Sequence, residues 1–380
     1  SRRTSSRGSG SRDGARQRSR SPAGDVLTPP PPATAAGAAE APAAGRPIRR
    51  SLPGRATDLL YLALATLACL AALALIAYLI VTMAGETGDV WTTYGVIGFI
   101  TGTEWIPAPA QGEPVFGALP FIYGTLVTSA IALVIAVPLA IGVALATTVF
   151  LPRRLRGPVA SVIDLLAAVP SVVYGFWGIT VMVPALRPGL EWLAEHSGPL
   201  GFLSGPVTSG SFLLSGLVLG IMVLPIVAAI SREVLLTVPV DQTEAAYALG
   251  ATRWEMVRGA MLPWARSGIV GASALGLGRA VGETIAIALL LGNTPVIFGS
   301  LLQPGATLAS VIALEFNEAT GPQLAALTAL GLVLFVIAFV INALARALVS
   351  RSAAGPSRLR RAASAGRERA VRGLPRPVRD

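Results

Sequence analysis

Arg279 and Glu283 stand four residues apart in "GLGRAVGETIA" (Gly276–Ala286), inside an apolar run long enough to cross a membrane. At a helix centre each such charge costs about 2.5–3.5 kcal/mol on insertion scales, and intramembrane ionisable residues mark functional sites by default. On a helix, residues four apart share a face. Gly276, Gly278, Ala280 and Gly282 surround the two charges with side chains small enough for close helix packing. Arginine is the residue type that offers an anionic group a bidentate, charge-assisted contact. The plainer alternative is a buried ion pair that only orients two helices, a role that contributes little net stability.

The elements that must hold these residues are membrane spans. The chain has 380 residues, 53% hydrophobic and 13% charged, against roughly 25% charged in an ordinary soluble domain. A span needs about 20 apolar helical residues, and six runs qualify: Leu59–Met83, Leu119–Phe150, Pro158–Leu186, Ser211–Leu236, Ser267–Leu291 and Gln323–Val349. All 30 basic residues are arginine. Eleven precede Thr57, three sit in "LPRRLRG" (Leu151–Gly157), four lie between Ser231 and Ser267, and nine follow Ser350. The stretches Ala84–Ala118 and Gly292–Pro322 carry glutamates and no base. By the positive-inside rule both termini and the arginine-bearing loops are cytoplasmic. The net charge of +10 is then mainly a topology signal, and no nucleic-acid partner is expected.

Residues 1–57 are Arg/Ser-rich and then Pro/Ala-rich, a composition that cannot bury enough apolar surface to order itself. They are expected to be a disordered cytoplasmic tail, followed by a permease domain at 58–350 and a basic cytoplasmic tail at 351–380. No apolar segment follows the early arginines until Leu59, so the first span is read as a retained helix rather than a targeting signal. Cys69 is expected to be a small packing residue, and with His196 the sole histidine no His/Cys metal site is expected. Pro138 is the natural kink of the long second span. In the third, "AAVPSVVYGFWG" (Ala167–Gly178) interrupts the helix, which is tolerated at membrane depth only against protein or a water-filled cavity. Asp164 reads as a capping or inter-helix residue.

The loop "TVPVDQTEAAYALGATRWEMVRGAMLPWARSG" (Thr237–Gly268) is too polar to span and too patterned to be a linker. Pro239 opens a short helix and Gly250 ends it in a left-handed turn. "TRWE" is a capping box with Thr252 at the N-cap and Glu255 reaching back. Two short helices around a glycine corner make a knob.

This loop resembles that of permease subunits of bacterial ABC importers: E-A-A, three residues, Gly, nine residues, then I-x-L-P. Glu244, Ala245, Ala246, Gly250, Leu262 and Pro263 match, with Ala260 where isoleucine is usual. The resemblance implies an all-α integral membrane protein with the type I ABC importer permease fold, six transmembrane helices and a cytoplasmic coupling helix within residues 237–266. It implies that Glu244 and Gly250 shape a knob docked on an ATPase subunit, with Arg253 and Arg258 facing either that partner or lipid phosphates. The chain has no G-x-x-x-x-G-K-[ST] loop, so ATP and Mg belong on the partner and no cofactor is expected here.

"FGALPFIYGTLVTSAIAL" (Phe116–Leu133), "AAVPSVVYGFWG" and "GLGRAVGETIA" are similar to the phosphate-specific importer, more to its PstC-type permease than to its PstA-type partner. The resemblance implies inorganic phosphate as substrate, with a PstA-type permease, two copies of an ATPase and an external phosphate-binding protein as partners, in the bacterial cytoplasmic membrane. Arg279 would contact the dianion and Glu283 would neutralise it while the pathway is empty. Thr284 and Ser171 are further pathway candidates, although hydroxyls in membrane helices commonly bond backbone carbonyls instead. Trp91 and Trp105 would lie where the binding protein docks, or serve as interfacial anchors. Sulfate or molybdate permeation is the alternative. A membrane-embedded enzyme would need clustered Asp, His or Lys, and a passive channel would need no docking loop.

Overall fold

The computed structural model describes residues 52–196, 201–208 and 210–372. The expected N-terminal tail lies outside them apart from its last residues. The chain divides into two units, Ser1–Ala68 and Cys69–Asp380. The described part of the first is the start of helix α1 (Leu52–Glu86), and all else below belongs to the second.

Short helices α2 (Gly88–Tyr94) and α3 (Val96–Thr101) precede a hairpin of two-residue strands, β1 (Trp105–Ile106) and β2 (Val115–Phe116). Then come α4 (Leu119–Leu145), α5 (Arg153–Ala167), α6 (Ser171–Trp177), α7 (Val183–His196) and α8 (Phe212–Leu236). The connecting loop carries α9 (Val240–Ala248) and α10 (Arg253–Met256), followed by α11 (Leu262–Val281), α12 (Ile285–Leu291), α13 (Leu308–Glu315) and α14 (Pro322–Arg372). Among the described residues four helices are long and apolar enough to cross a membrane, and up to six spans result when each of two bent pairs counts as one. The bent pairs are Arg153–Ala167 with Ser171–His196, at 91°, and Arg253–Val281 with Ile285–Leu291, at 63°. α4 runs through Pro138 as one helix and loosens into a π-helical turn over Ala146–Phe150. α14 continues past residue 350, where the apolar run ends.

The centre is the crossing of α4 and α8. Ala132, Ala136, Ala140 and Ala144, one turn apart, are all buried. Across from them Gly216 and Gly220 leave no room for a Cβ, which would stand 2.6 Å from Ile131 and 3.2 Å from the Ala132 carbonyl oxygen. Lipid gives helices no hydrophobic drive to associate, so close backbone approach through small residues supplies the contact. One apolar cluster, around Trp105, Phe116, Phe121 and Leu330, gathers at the N-terminal end of α4. Another, around Leu145, Val257 and Met261, gathers at its C-terminal end, about 40 Å away for a helix of that length. These are called the hairpin end and the coupling end below.

Two expectations change. Trp105 is buried, packed edge-on against Phe116 and Phe121 with centroids 4.9 and 5.1 Å apart. Trp91 packs on Phe99 and donates to the Thr87 hydroxyl at 2.8 Å. Trp105 therefore belongs to the hairpin-end core, because the hairpin folds back over α4, while the half-buried Trp91 packs against that core from its edge. Cys69 is exposed, not packed: α1 buries none of its most apolar window within the chain. Asp164 does act between helices, 3.7 Å from the Arg232 guanidinium of α8.

Candidate translocation pathway and coupling surface

The two broken spans meet at their breaks. α11 ends at Val281, and Gly282 turns the chain so that Glu283 and Thr284 lie between helices. Arg279 and Glu283 therefore do not share a helix face, and among the described residues they form no ion pair within 4.0 Å. Each charge instead sits at a helix end. Arg279, in the last turn of α11, is exposed and complements the negative end of that helix. Glu283 is buried and its Oε1 accepts the Ala286 N–H at 3.3 Å, a first-turn donor of α12 that has no partner within its own helix. The Thr284 hydroxyl donates to the Gly282 carbonyl at 3.2 Å.

In the other broken span, Pro170 caps α6, Ser171 opens it half-exposed, and the Tyr174 hydroxyl donates to the Leu166 carbonyl at 2.8 Å, stitching the bend. A Cβ on Gly175 would come within 2.8 Å of the Ala286 Cα, and one on Gly178 within 2.8 Å of Val218 and 3.0 Å of Leu290. This backbone contact brings the Ser171 and Thr284 segments to one level, and places Tyr174 within electrostatic reach of Arg279. The expected inward-facing stretch is split: Tyr174, Gly175 and Gly178 are buried, while Val172, Val173, Phe176 and Trp177 are exposed.

At the coupling end the knob takes the expected form. Pro239 caps α9, and Gly250 has φ +83°, the left-handed turn. Thr252 and Glu255 make the capping box: the Thr252 N–H and hydroxyl each donate to Glu255 Oε2 at 2.8 Å, and the Glu255 N–H returns to the Thr252 hydroxyl at 3.3 Å. Those bonds hold the Glu255 carboxyl below its usual range. Ala246 and Leu262 pack on the coupling-end cluster, while Glu244, Ala245, Gly250 and Pro263 face outward. Around them Val240, Tyr247, Leu249 and Trp254 are exposed, Leu249 at 89%. The knob is rooted on one side and presents an apolar, unpartnered face on the other.

A family model described as the binding-protein-dependent transport system inner membrane component matches residues 136–353. The chain belongs to this family of transport permeases. It is 45% identical over 260 residues to the phosphate transport system permease protein PstC of Xylella fastidiosa (strain 9a5c), covering 67% of this chain and 79% of that one. It is 40% identical over 301 residues to PstC of Mesorhizobium japonicum (strain LMG 29417 / CECT 9101 / MAFF 303099), covering 78% and 90%. Among solved structures, the MetNI methionine ABC transporter in inward facing conformations aligns with 62% of this chain and 94% of that one, at 19% identity and a TM-score of 0.45.

One residue of this permease escaped the sequence reading. Glu315, at the end of α13, accepts from Trp105 Nε1 at 3.1 Å, Asn293 Nδ2 at 2.8 Å and Gln323 Nε2 at 3.1 Å. It ties the hairpin, the segment after α12 and the start of α14 to one carboxylate. Trp105 is 210 positions away in sequence, and the available signal was a carboxylate in a stretch without bases.

Proposed function

We propose that this permease is the PstC-type subunit of an ATP-driven importer of inorganic phosphate. The observation that carries the reading is the 45% and 40% identity to relatives named phosphate transport system permease protein PstC. Its partners are a PstA-type permease, two ATPase copies that hold ATP and Mg, and an external phosphate-binding protein. Both termini and the α9–α10 knob face the cytoplasm, in line with the arginine distribution.

Arg279 is the substrate cation: it is exposed beside a break in the span, where discontinuous helices build transporter sites. Glu283, Thr284 and Ser171 line the same level. Glu244, Ala245, Ala246, Gly250, Leu262 and Pro263 form the coupling surface. ATP turnover on the partner moves the knob and biases the inward–outward equilibrium, which requires the partner to bind the two states differently.

Labelled phosphate uptake, in cells lacking their own phosphate permease and supplied with this chain and its partners, tests the reading. Phosphate alone should compete, and Arg279→Gln should abolish uptake at matched membrane abundance. Competition by sulfate or molybdate would move the substrate to another oxyanion, and full uptake by Arg279→Gln would remove the cation from the pathway.

A further inference from the structure

A cavity of about 490 Å³ lies between the turn joining α4 to α5 and the corner joining α9 to α10. Arg153, Arg156, Arg253 and Tyr247 line it, and among the described residues no carboxylate does. Arg156 is held in place: its Nε donates to the Leu151 carbonyl at 2.9 Å and its Nη2 to the Val149 carbonyl at 3.2 Å. A guanidinium has five N–H donors, so others stay available. Arg153 and Arg253 are exposed, and among the described residues neither side chain has a hydrogen bond or ion pair. Glu255, two residues beyond Arg253, is already engaged by Thr252.

Three like charges around one cavity repel each other until an anion or solvent separates them. The arginine fork matches the oxygens of a phosphate group, and the Tyr247 hydroxyl adds a neutral donor. Arg153 also opens α5, whose positive end favours an anion. We propose that this cavity binds a phosphate-bearing anion, and that occupancy ties the coupling knob to the α4–α5 turn. The group can come from free inorganic phosphate or from the headgroup of an acidic phospholipid. The proposal does not rest on which solute the permease moves.

The test uses the purified full chain in lipid nanodiscs, with Arg279→Gln in every sample so that the pathway contributes nothing. The melting temperature is compared with and without the further pair Arg153→Gln and Arg253→Gln. Ligand that binds the folded state raises the melting temperature by mass action. In phosphatidylcholine discs, a saturable rise with inorganic phosphate over chloride at equal ionic strength, lost in the double variant, identifies free phosphate. Without added phosphate, a rise in phosphatidylglycerol discs that the double variant loses identifies the lipid headgroup. No rise in either arm, or a rise that the double variant keeps, overturns the proposal and leaves the arginines to acidic side chains of the ATPase partner. Should the double variant melt lower without ligand, Arg253→Gln alone replaces it, since the Arg253 side chain makes no bond within the described chain.

Discussion

Glu283 holds two jobs that one substitution pair separates. Its carboxylate closes the first turn of α12 through the Ala286 N–H, and its charge faces the pathway level proposed above. Glutamine keeps an acceptor and drops the charge, whereas alanine also leaves a buried N–H unsatisfied, at about 1–3 kcal/mol. Glu283→Gln should therefore melt close to the parent yet transport poorly, and Glu283→Ala should lose stability as well as uptake. Undiminished uptake by Glu283→Gln would reduce the residue to a cap. At the coupling end, Glu255 makes a pH-dependent cap. Its folded pKa is depressed by the Thr252 N–H and hydroxyl, so the contribution is present above the unfolded value near 4.5 and is lost as pH falls through the lower folded value. The protection factor of the peptide covering residues 252–256, its exchange rate corrected for the intrinsic rate at each pH, should fall below about pH 4.5 in the parent. In Glu255→Gln that acid-dependent step should be absent, and its persistence would place the titrating group elsewhere.

Helix breaks decide what the elements can do. Gly250 has open space around its missing Cβ but a φ of +83°, so Gly250→Ala strains the backbone alone, by about 1–2 kcal/mol. The corner between α9 and α10 should relax toward negative φ and turn the exposed Leu249 face. ATP hydrolysis by the assembled importer should then continue while uptake falls, and tightly coupled transport in Gly250→Ala would show that the left-handed turn is dispensable. The knob was legible in sequence because its signals are local: Pro239, the turn glycine and the Thr252–Glu255 box each act within a few residues. The geometry of Arg279 and Glu283 was not. A continuous helix was the natural expectation for an apolar run, and the 63° bend at Gly282 depends on α6 lying against α12 through Gly175 and Ala286, a contact no local pattern encodes. Asp164 pairing with Arg232 fell within the expected alternatives, since a carboxylate near a span end has few other uses, whereas the three donors of Glu315 come from segments far apart in sequence.

The molecule as a whole leaves much apolar surface uncovered, and the pattern assigns that surface a solvent. The most apolar window of α8 is 61% buried, that of α4 33%, and that of α1 none. A water-exposed helix with the composition of α1 would aggregate, so its surroundings must be hydrocarbon or a neighbouring apolar helix. The sole cysteine reports which kind of medium surrounds it. Cys69 is exposed on α1, and a charged reagent does not readily enter a hydrocarbon surrounding. In intact membranes a charged, water-soluble maleimide should leave Cys69 unlabelled from either side, and denaturation in SDS should make it fully reactive. A cysteine placed at the exposed Leu249 of the knob, in a Cys69→Ser background, should label readily in inverted vesicles and so calibrate the reagent. Rapid labelling of Cys69 in the folded protein would put water beside α1 and assign the first helix to the lining of an aqueous path.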